Sequence, residues 1–400
     1  MKKNRFLYFI LFTLPLLFIY LYGGKVPYMF FYTIVVTPVV SIMLTTIAFI
    51  RFKYFEELDK ISITKGEEFI YNLNICNEDF FLYPYINVSF LTGNIVFDKE
   101  LQKESFSLGP FAKKTFQFKA RPRYRGEHEI GIKSIEFEDF LGIFRLTHKP
   151  NSSKIIKVYP RIIELSGVKL KSILLSESHS IPNNLFENSN TISDIRKYMY
   201  GDSIKRVHWK LSSKMNELMV KKFDSTSRTN SVLILDLMKM EYPPEQNLLV
   251  EDTLIECVVS FVYYLLGNWA NVNLLYYKDE YTEVKAQNSL QFQGIYDILA
   301  KIKFNQDVEI KDILSMHVQN NSLKKSNILL FTPSLNSDLL DELYKAKLSG
   351  FDVTLIHVSP NSAYESDSEE KNNMLKELPE IGVNAYKISV EDDIKEAFCS

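Results

Sequence analysis

Apolar positions run unbroken at the start of this chain, alternate with polar ones in its middle, and fall into separated strand-like and helix-like blocks towards its end. Residues 6–22 are seventeen positions without a charge, and 26–50 are twenty-five more. At about 1.5 Å per residue each run can cross roughly 30 Å of hydrocarbon, the first barely and the second with tilt. Pro15 and Pro38 lie inside these runs, where membrane helices accept them because neighbouring groups satisfy the freed carbonyls. A secretory signal is the rival reading of the first run, but no A-x-A-like site follows it and the second run comes almost at once. The pattern predicts a two-helix transmembrane hairpin over 1–53.

Between 54 and 165 the period is two. Segments 61–63, 69–75, 86–90, 115–119, 129–137 and 155–159 are divided by Gly109-Pro110, Arg121-Pro122 and Arg125-Gly126. Short alternating strands with such turns predict an all-β antiparallel sandwich of immunoglobulin type. Its aromatics, Phe137, Phe140 and Phe144 among them, are expected in the core or packed between domains. The Ser- and Asn-rich tract 166–192 reads as a linker. From 229 to 400, strands at 231–237, 272–278, 327–332, 352–358 and 383–390 alternate with helices at 249–269, 336–348 and 369–378, and two amphipathic helices fill the interval before 327. That alternation predicts an α/β, Rossmann-like domain with a largely parallel sheet covered on both faces.

Charge changes the picture in two places. Lys2, Lys3 and Arg5 precede the first apolar run, Arg51 and Lys53 follow the second, and Lys25 alone lies between. Positive flanks mark the cytoplasmic side, so both termini are expected in the cytoplasm of a bacterial inner membrane. The second place is 193–223, where eight Lys/Arg stand against three Asp/Glu in a chain whose net charge is −2. Tyr198 and Trp209 sit among those cations, a composition too polar for a core and too apolar for a solvated linker.

Within 193–228, Arg196, Tyr198, Gly201, Asp202, Arg206, Trp209, Lys210 and Leu218 stand where bacterial proteins of the domain of unknown function 58 (DUF58) carry R-x-Y-x-x-G-D, basic residues and W-K. The chain resembles that family. Where the family has a small residue followed by Arg, Ser213-Lys214 keeps the charge without the guanidinium fork. A second stretch, RYRGEHEIGIKSIEFEDFLGIFRL at 123–146 with VYPR at 158–161, resembles the family upstream. The resemblance implies a von Willebrand factor A-like carboxy-terminal domain, and partnership with a MoxR-type AAA+ ATPase and a transglutaminase-like membrane protein. In the metal-binding form of that fold the first strand ends in D-x-S-x-S; here it ends Asp236-Leu237-Met238-Lys239-Met240. Thioethers replace both hydroxyl ligands, leaving Asp236 and Thr332 as the sole oxygen candidates, so no metal is expected. Asp236 is expected to cap a turn or to pair with a basic residue of the motif.

Candidate chemistry is otherwise sparse. There is no G-x-S-x-G, P-loop, H-E-x-x-H or G-x-G-x-x-G pattern, and Cys76, Cys257 and Cys399 lie far apart. His208 beside Trp209 has no nucleophile marked out for it and is expected to be structural, as Asp202 is expected to cap a turn or helix. No cofactor is expected. The leading expectation is a membrane-anchored, non-enzymatic scaffold or adaptor whose partners include the lipid bilayer. Alternatives are an anionic-lipid or nucleic-acid binder acting through the strip, although the near-neutral charge speaks against nucleic acid, and an unrecognised enzyme. The acidic end, net −6 over 361–400, is a further candidate to pair with the strip and make it an internal clamp.

Overall fold

A computed structural model describes residues 2–91, 97–98, 103–151, 153–165, 192–198, 207–215, 217–223, 230–268, 270–321, 326–364 and 368–399. The expected linker lies almost wholly outside them. The chain divides into two compact units, the first of Met1–Ile162, Glu241–Val259 and Tyr296–Lys303, the second of Ile163–Met240, Ser260–Ile295 and Phe304–Ser400.

The first unit begins with helices α1 (Lys2–Tyr22) and α2 (Lys25–Arg51), both long and apolar enough to cross a membrane. Little of either is buried, unlike the core helix of a soluble protein. Nine strands follow: β1 (Lys53–Leu58), β2 (Ser62–Thr64), β3 (Phe69–Cys76), β4 (Tyr83–Leu91), β5 (Glu104–Leu108), β6 (Lys113–Ala120), β7 (Gly126–Glu138), β8 (Arg145–His148) and β9 (Lys154–Tyr159). One sheet is ordered β1-β3-β6 and the other β2-β9-β7-β4-β5, with β8 also on β7. All pairs are antiparallel except β2–β9, which is parallel.

Alternation builds the core between these sheets. Phe69, Tyr71, Leu73 and Ile75 of β3 all point inward and meet Ile86 and Val88 of β4 and Ile156 and Val158 of β9. On β7 the alternation changes phase, because Ile130 and Ile132 are buried and so are Ile135 and Phe137. The register slips between Ser89↔Ser134 and Phe90↔Ile132, a bulge that places Lys133 opposite nothing and resets the inward face by one residue.

The end of α2 is part of that core. Ser41, Thr45 and Ala48 make one buried stripe at helical spacing, Ala48 belongs to the β-sheet core cluster, and Phe49 and Phe52 pack edge-on against Phe137 at 5.7 and 4.9 Å. One face of the last three turns of the twenty-five-residue apolar run therefore meets protein, while Met43 and Ile50 in the same turns stay exposed. Asp139, fully buried, fixes the seam: its carboxylate accepts from the backbone N–H groups of Ile143 (2.6 Å), Phe144 (2.7 Å) and Leu141 (3.2 Å) and from the Ser41 hydroxyl (2.9 Å). Phe137 is buried and Phe144 partly so, whereas Phe140, expected in the core or packed between domains, is outside the core and 42 % exposed on the loop that Asp139 ties.

The second unit holds β10 (Ile192–Lys197), α3 (Trp209–Met215) and β11 (Met219–Phe223), then a six-stranded sheet. Its strands are β12 (Asn230–Leu235), β13 (Asn271–Lys278), β14 (Glu280–Ala286), β15 (Asn327–Thr332), β16 (Asp352–Ser359) and β17 (Asn384–Ser389), ordered β14-β13-β12-β15-β16-β17. The five expected strands are present and parallel. β14, not expected, returns antiparallel along β13 through Asp279 at φ 59°. Helix α4 (Pro244–Gly267) starts at a proline, earlier than expected. Helices α5 (Phe292–Lys301), α6 (Ile310–Asn320), α7 (Ser337–Leu348), α8 (Ser368–Glu377) and α9 (Ile394–Cys399) follow, with α4 as far as Val259 and α5 from Tyr296 counted in the first unit. Asn336 caps α7 by accepting from the Leu339 N–H at 2.9 Å.

Removing the Asp139 carboxylate strands three backbone donors in a dry seam, whereas removing the Ser41 hydroxyl strands none. Asp139→Ala should lower the unfolding free energy of the full chain in nanodiscs by about 3 kcal/mol and Ser41→Ala by less than about 1 kcal/mol, measured by denaturant titration. Equal small effects would remove Asp139 from this role.

Candidate functional site

The basic motif folds around a two-stranded ribbon. β10 and β11 pair antiparallel with Arg196 opposite Val220, and the ribbon is extended by Tyr198 N–H to Leu218 O and His208 N–H to Met219 O, both 2.8 Å. Val207 bridges to Val220, and both are buried. His208 opens α3: its Nδ1 accepts from the Leu211 N–H at 3.2 Å, an unprotonated nitrogen satisfying an orphan helix donor. The buried Ser212 hydroxyl accepts the Met219 N–H at 2.8 Å and closes the helix onto the ribbon. These bonds use the motif's small polar groups internally.

Its large groups point outward. Trp209 is 63 % exposed, and Lys210, Ser213, Lys214, Met215 and Leu218 are exposed as well. Lys210 and Lys214 make no ion pair among the described residues, whereas Lys197 pairs with Glu217 at 2.5 Å. Gly201, Asp202 and Arg206 lie outside the described residues, as does the side chain of Arg196.

Asp236 and Thr332 are brought together. The crossover direction of the sheet reverses between β12 and β15, where parallel α/β sheets open their ligand crevices. Here that point is closed by its own residues. Asp236 is 1 % exposed; one carboxylate oxygen accepts the Thr332 hydroxyl at 2.6 Å and the other the Met238 N–H at 2.9 Å. Burial raises its pKa, and the Thr332 and Met238 bonds pull it partly back. Asp236 thus caps the turn after its strand, one of its two expected roles. Among the described residues no group of three or more His, Cys, Asp or Glu converges.

The upstream family-like stretch has a different task. Arg125, at 4 % side-chain exposure, donates Nε to Leu299 O (3.1 Å) and Nη2 to Ile302 O (2.9 Å), capping the end of α5, and Nη1 to Asp252 (3.3 Å). Lys65 lies 3.0 Å from Asp252 and 2.9 Å from Glu256, and Arg161 grips Glu256 through Nε (3.0 Å) and Nη2 (2.8 Å). Asp252 and Glu256 are four residues apart on α4, so one helix face gathers three cations from the β layer. Burial works against the charge of Lys65, but the two carboxylates outweigh it and raise its pKa. The sequence carried a signal for this cluster, the carboxylates Glu251, Asp252 and Glu256 inside the apolar run of α4, but nothing local indicated their partners.

Beside the cluster a cleft of about 560 Å³ is lined by Lys65, Arg121, Arg123 and Arg161. Asp252, Glu256 and Glu68 neutralise three of these cations, so the cleft is close to charge balance. Glu251, next to Asp252, has its pKa pushed up to about 7 by burial, with Arg125 opposing and Asp252 adding to the rise.

The family described as "Protein of unknown function DUF58" matches residues 194–291, which contain the ribbon, α3, Asp236 and the whole of α4. No curated protein matches the chain. Among solved structures, the Pseudomonas fluorescens alkylpurine DNA glycosylase AlkC bound to DNA containing an abasic site analog matches at 15 % identity and TM-score 0.19, over 34 % of this chain and 40 % of that one. Cwp6 from Clostridium difficile matches at 8 % identity and TM-score 0.15, over 84 % of this chain and 53 % of that one. Such overlaps carry no argument about fold or activity.

Two outcomes follow from the buried charges. Asp252→Ala leaves Arg125 and Lys65 short of a carboxylate and should cost about 3–5 kcal/mol of unfolding free energy, read by denaturant titration; a loss under about 1 kcal/mol would contradict the network's weight. A carboxyl with a raised folded pKa stabilises fully below its unfolded value of 4.5 and loses that contribution as pH rises through about 7. Glu251→Gln should therefore exceed the parent by roughly 2–3 kcal/mol at pH 8 and match it at pH 4, and an unchanged pH profile would contradict the buried placement.

Proposed function

We propose, with the DUF58 region at residues 194–291 as premise, that the protein is a membrane-anchored, non-enzymatic scaffold whose basic motif docks a protein partner at the bacterial cell envelope. The single observation carrying this reading is the outward display of Trp209 with Lys210 and Lys214 on one short helix. Exposed Trp is frequent at interaction hot spots, and lysines beside it that make no ion pair among the described residues would give steered, salt-sensitive association with an acidic surface. On this reading the hairpin sits in the inner membrane with both termini cytoplasmic, in keeping with Lys2, Lys3, Arg5, Arg51 and Lys53 on one side. The β unit is then an immunoglobulin-like stalk and the parallel-sheet unit a von Willebrand factor A-like domain, its crevice shut by Asp236 and Thr332.

The resemblance indicates a MoxR-type AAA+ ATPase as the partner, with a transglutaminase-like membrane protein in the same assembly. A crosslinked pull-down of the tagged full-length protein from its own membranes, compared with Arg206→Glu/Lys210→Glu, tests this. The ATPase should be recovered with the parent and lost with the variant. Equal recovery from both folded forms would overturn docking through the motif, and loss of vesicle binding in place of a protein would transfer the motif to anionic lipid.

A further inference from the structure

We infer that the 139–144 loop seats the β unit on the bilayer surface, with Phe140 lodged at the boundary between lipid headgroups and acyl chains. The inference rests on the membrane-spanning reading of the hairpin and goes beyond it by fixing where the membrane plane meets the folded domain.

The loop touches both helices. Asn4 Nδ2 donates to Leu141 O at 3.2 Å and Arg5 Nε to Ile143 O at 2.8 Å, while Asp139 receives the Ser41 hydroxyl. These contacts lie at matched heights. From Arg5 to Tyr22, the last residue of α1, is a rise of about 26 Å, and from Lys25 to Ser41 on α2 about 24 Å, matched to about one residue and a little under the roughly 30 Å of hydrocarbon in a bilayer. Two independent helices thus place the loop at one distance from the hairpin turn. On the turn side of that level both helices are apolar and exposed, as at Phe6, Phe9, Val39 and Val40. Beyond it come Lys2 and Lys3 on α1, and on α2 the buried stripe Ser41, Thr45 and Ala48 that faces protein.

The loop is built for a fixed pose. Its turn passes through Gly142 at φ +64°, where a Cβ would lie 2.4 Å from the Asn4 side chain, and the Asp139 carboxylate holds three of its N–H groups. Phe140 is left pointing out of a rigid turn at the level where aromatic side chains concentrate in membrane proteins. Its ring stays 42 % exposed among the described residues, and the bilayer entered by α1 and α2 is the apolar medium that meets it.

The test uses the full chain reconstituted into vesicles of zwitterionic and anionic phospholipid, with and without bromine on the upper acyl chain. Phe140→Trp is compared with Leu290→Trp, at a site 91 % exposed in the second unit, and the parent's own tryptophan emission is subtracted. The emission added at position 140 should fall by about half in brominated vesicles, and that added at position 290 should not change. Emission at 140 as unquenched as at 290, in vesicles that carry the protein through flotation, overturns the inference alone. Protein that fails to float overturns the membrane-spanning reading and this inference with it.

Discussion

Placing Arg125 in the interior governs much of the first unit. A guanidinium at 4 % exposure has lost nearly all its water, which is affordable only if every donor finds an acceptor and the charge is matched. The chain answers with two backbone carbonyls at the end of α5 and a carboxylate on α4. Lys65 and Arg161 join the same acidic face, so that two carboxylates four residues apart hold three cations. Because those partners come from 241–259 and 296–303, the first unit cannot be a contiguous segment of sequence. The resemblance at Arg123–Tyr124–Arg125 and at Arg161 therefore marks structural residues, while the resemblance around Trp209 marks a surface.

A second constraint acts at the tether. Asp139 makes a joint at the helices, fixing its own loop with three hydrogen bonds and holding Ser41 of α2 with a fourth, and Arg51 to Asp79 at 2.8 Å ties the other end of the seam. Tyr83 donates to the same Asp79 at 2.7 Å. Any motion of the hairpin is thereby transmitted to the β layer through packed and bonded groups. The orientation of the β layer on the hairpin is as much a product of this joint as of the helices themselves.

Much of this was legible in the sequence, and the failures are physical. Parallel strands buried on both faces read as apolar runs, so β12, β13, β15, β16 and β17 emerged within a few residues. β14 did not, because an edge strand such as EYTEVKA exposes half its positions and its turn rests on Asp279 in a conformation rarely taken by non-glycine residues. Composition cannot distinguish a helix face that meets lipid from one that meets a β core, which is why the last turns of α2 read as membrane. Phe140 read as a core or domain-packing residue for the same reason. At the motif, the sequence singled out Trp209 and the lysines but had no means to separate a clamp from a display, since exposure is a property of the fold. Its Arg125 and Arg161 were visible only as resemblance, their carboxylates lying about ninety residues or more away.

That separation has a temporal side. A ribosome reaches Arg161 about ninety residues before Asp252, a delay of roughly 5–20 s at common rates of synthesis. During it the β strands and the hairpin exist without the acidic face of α4, and Lys65, Arg125 and Arg161 must remain hydrated. The β layer therefore cannot close at that side until the second unit's first strand has already been made. Assembly order is written into the charge pattern: the apolar hairpin first, the β layer second, and its final closure by a helix that arrives late.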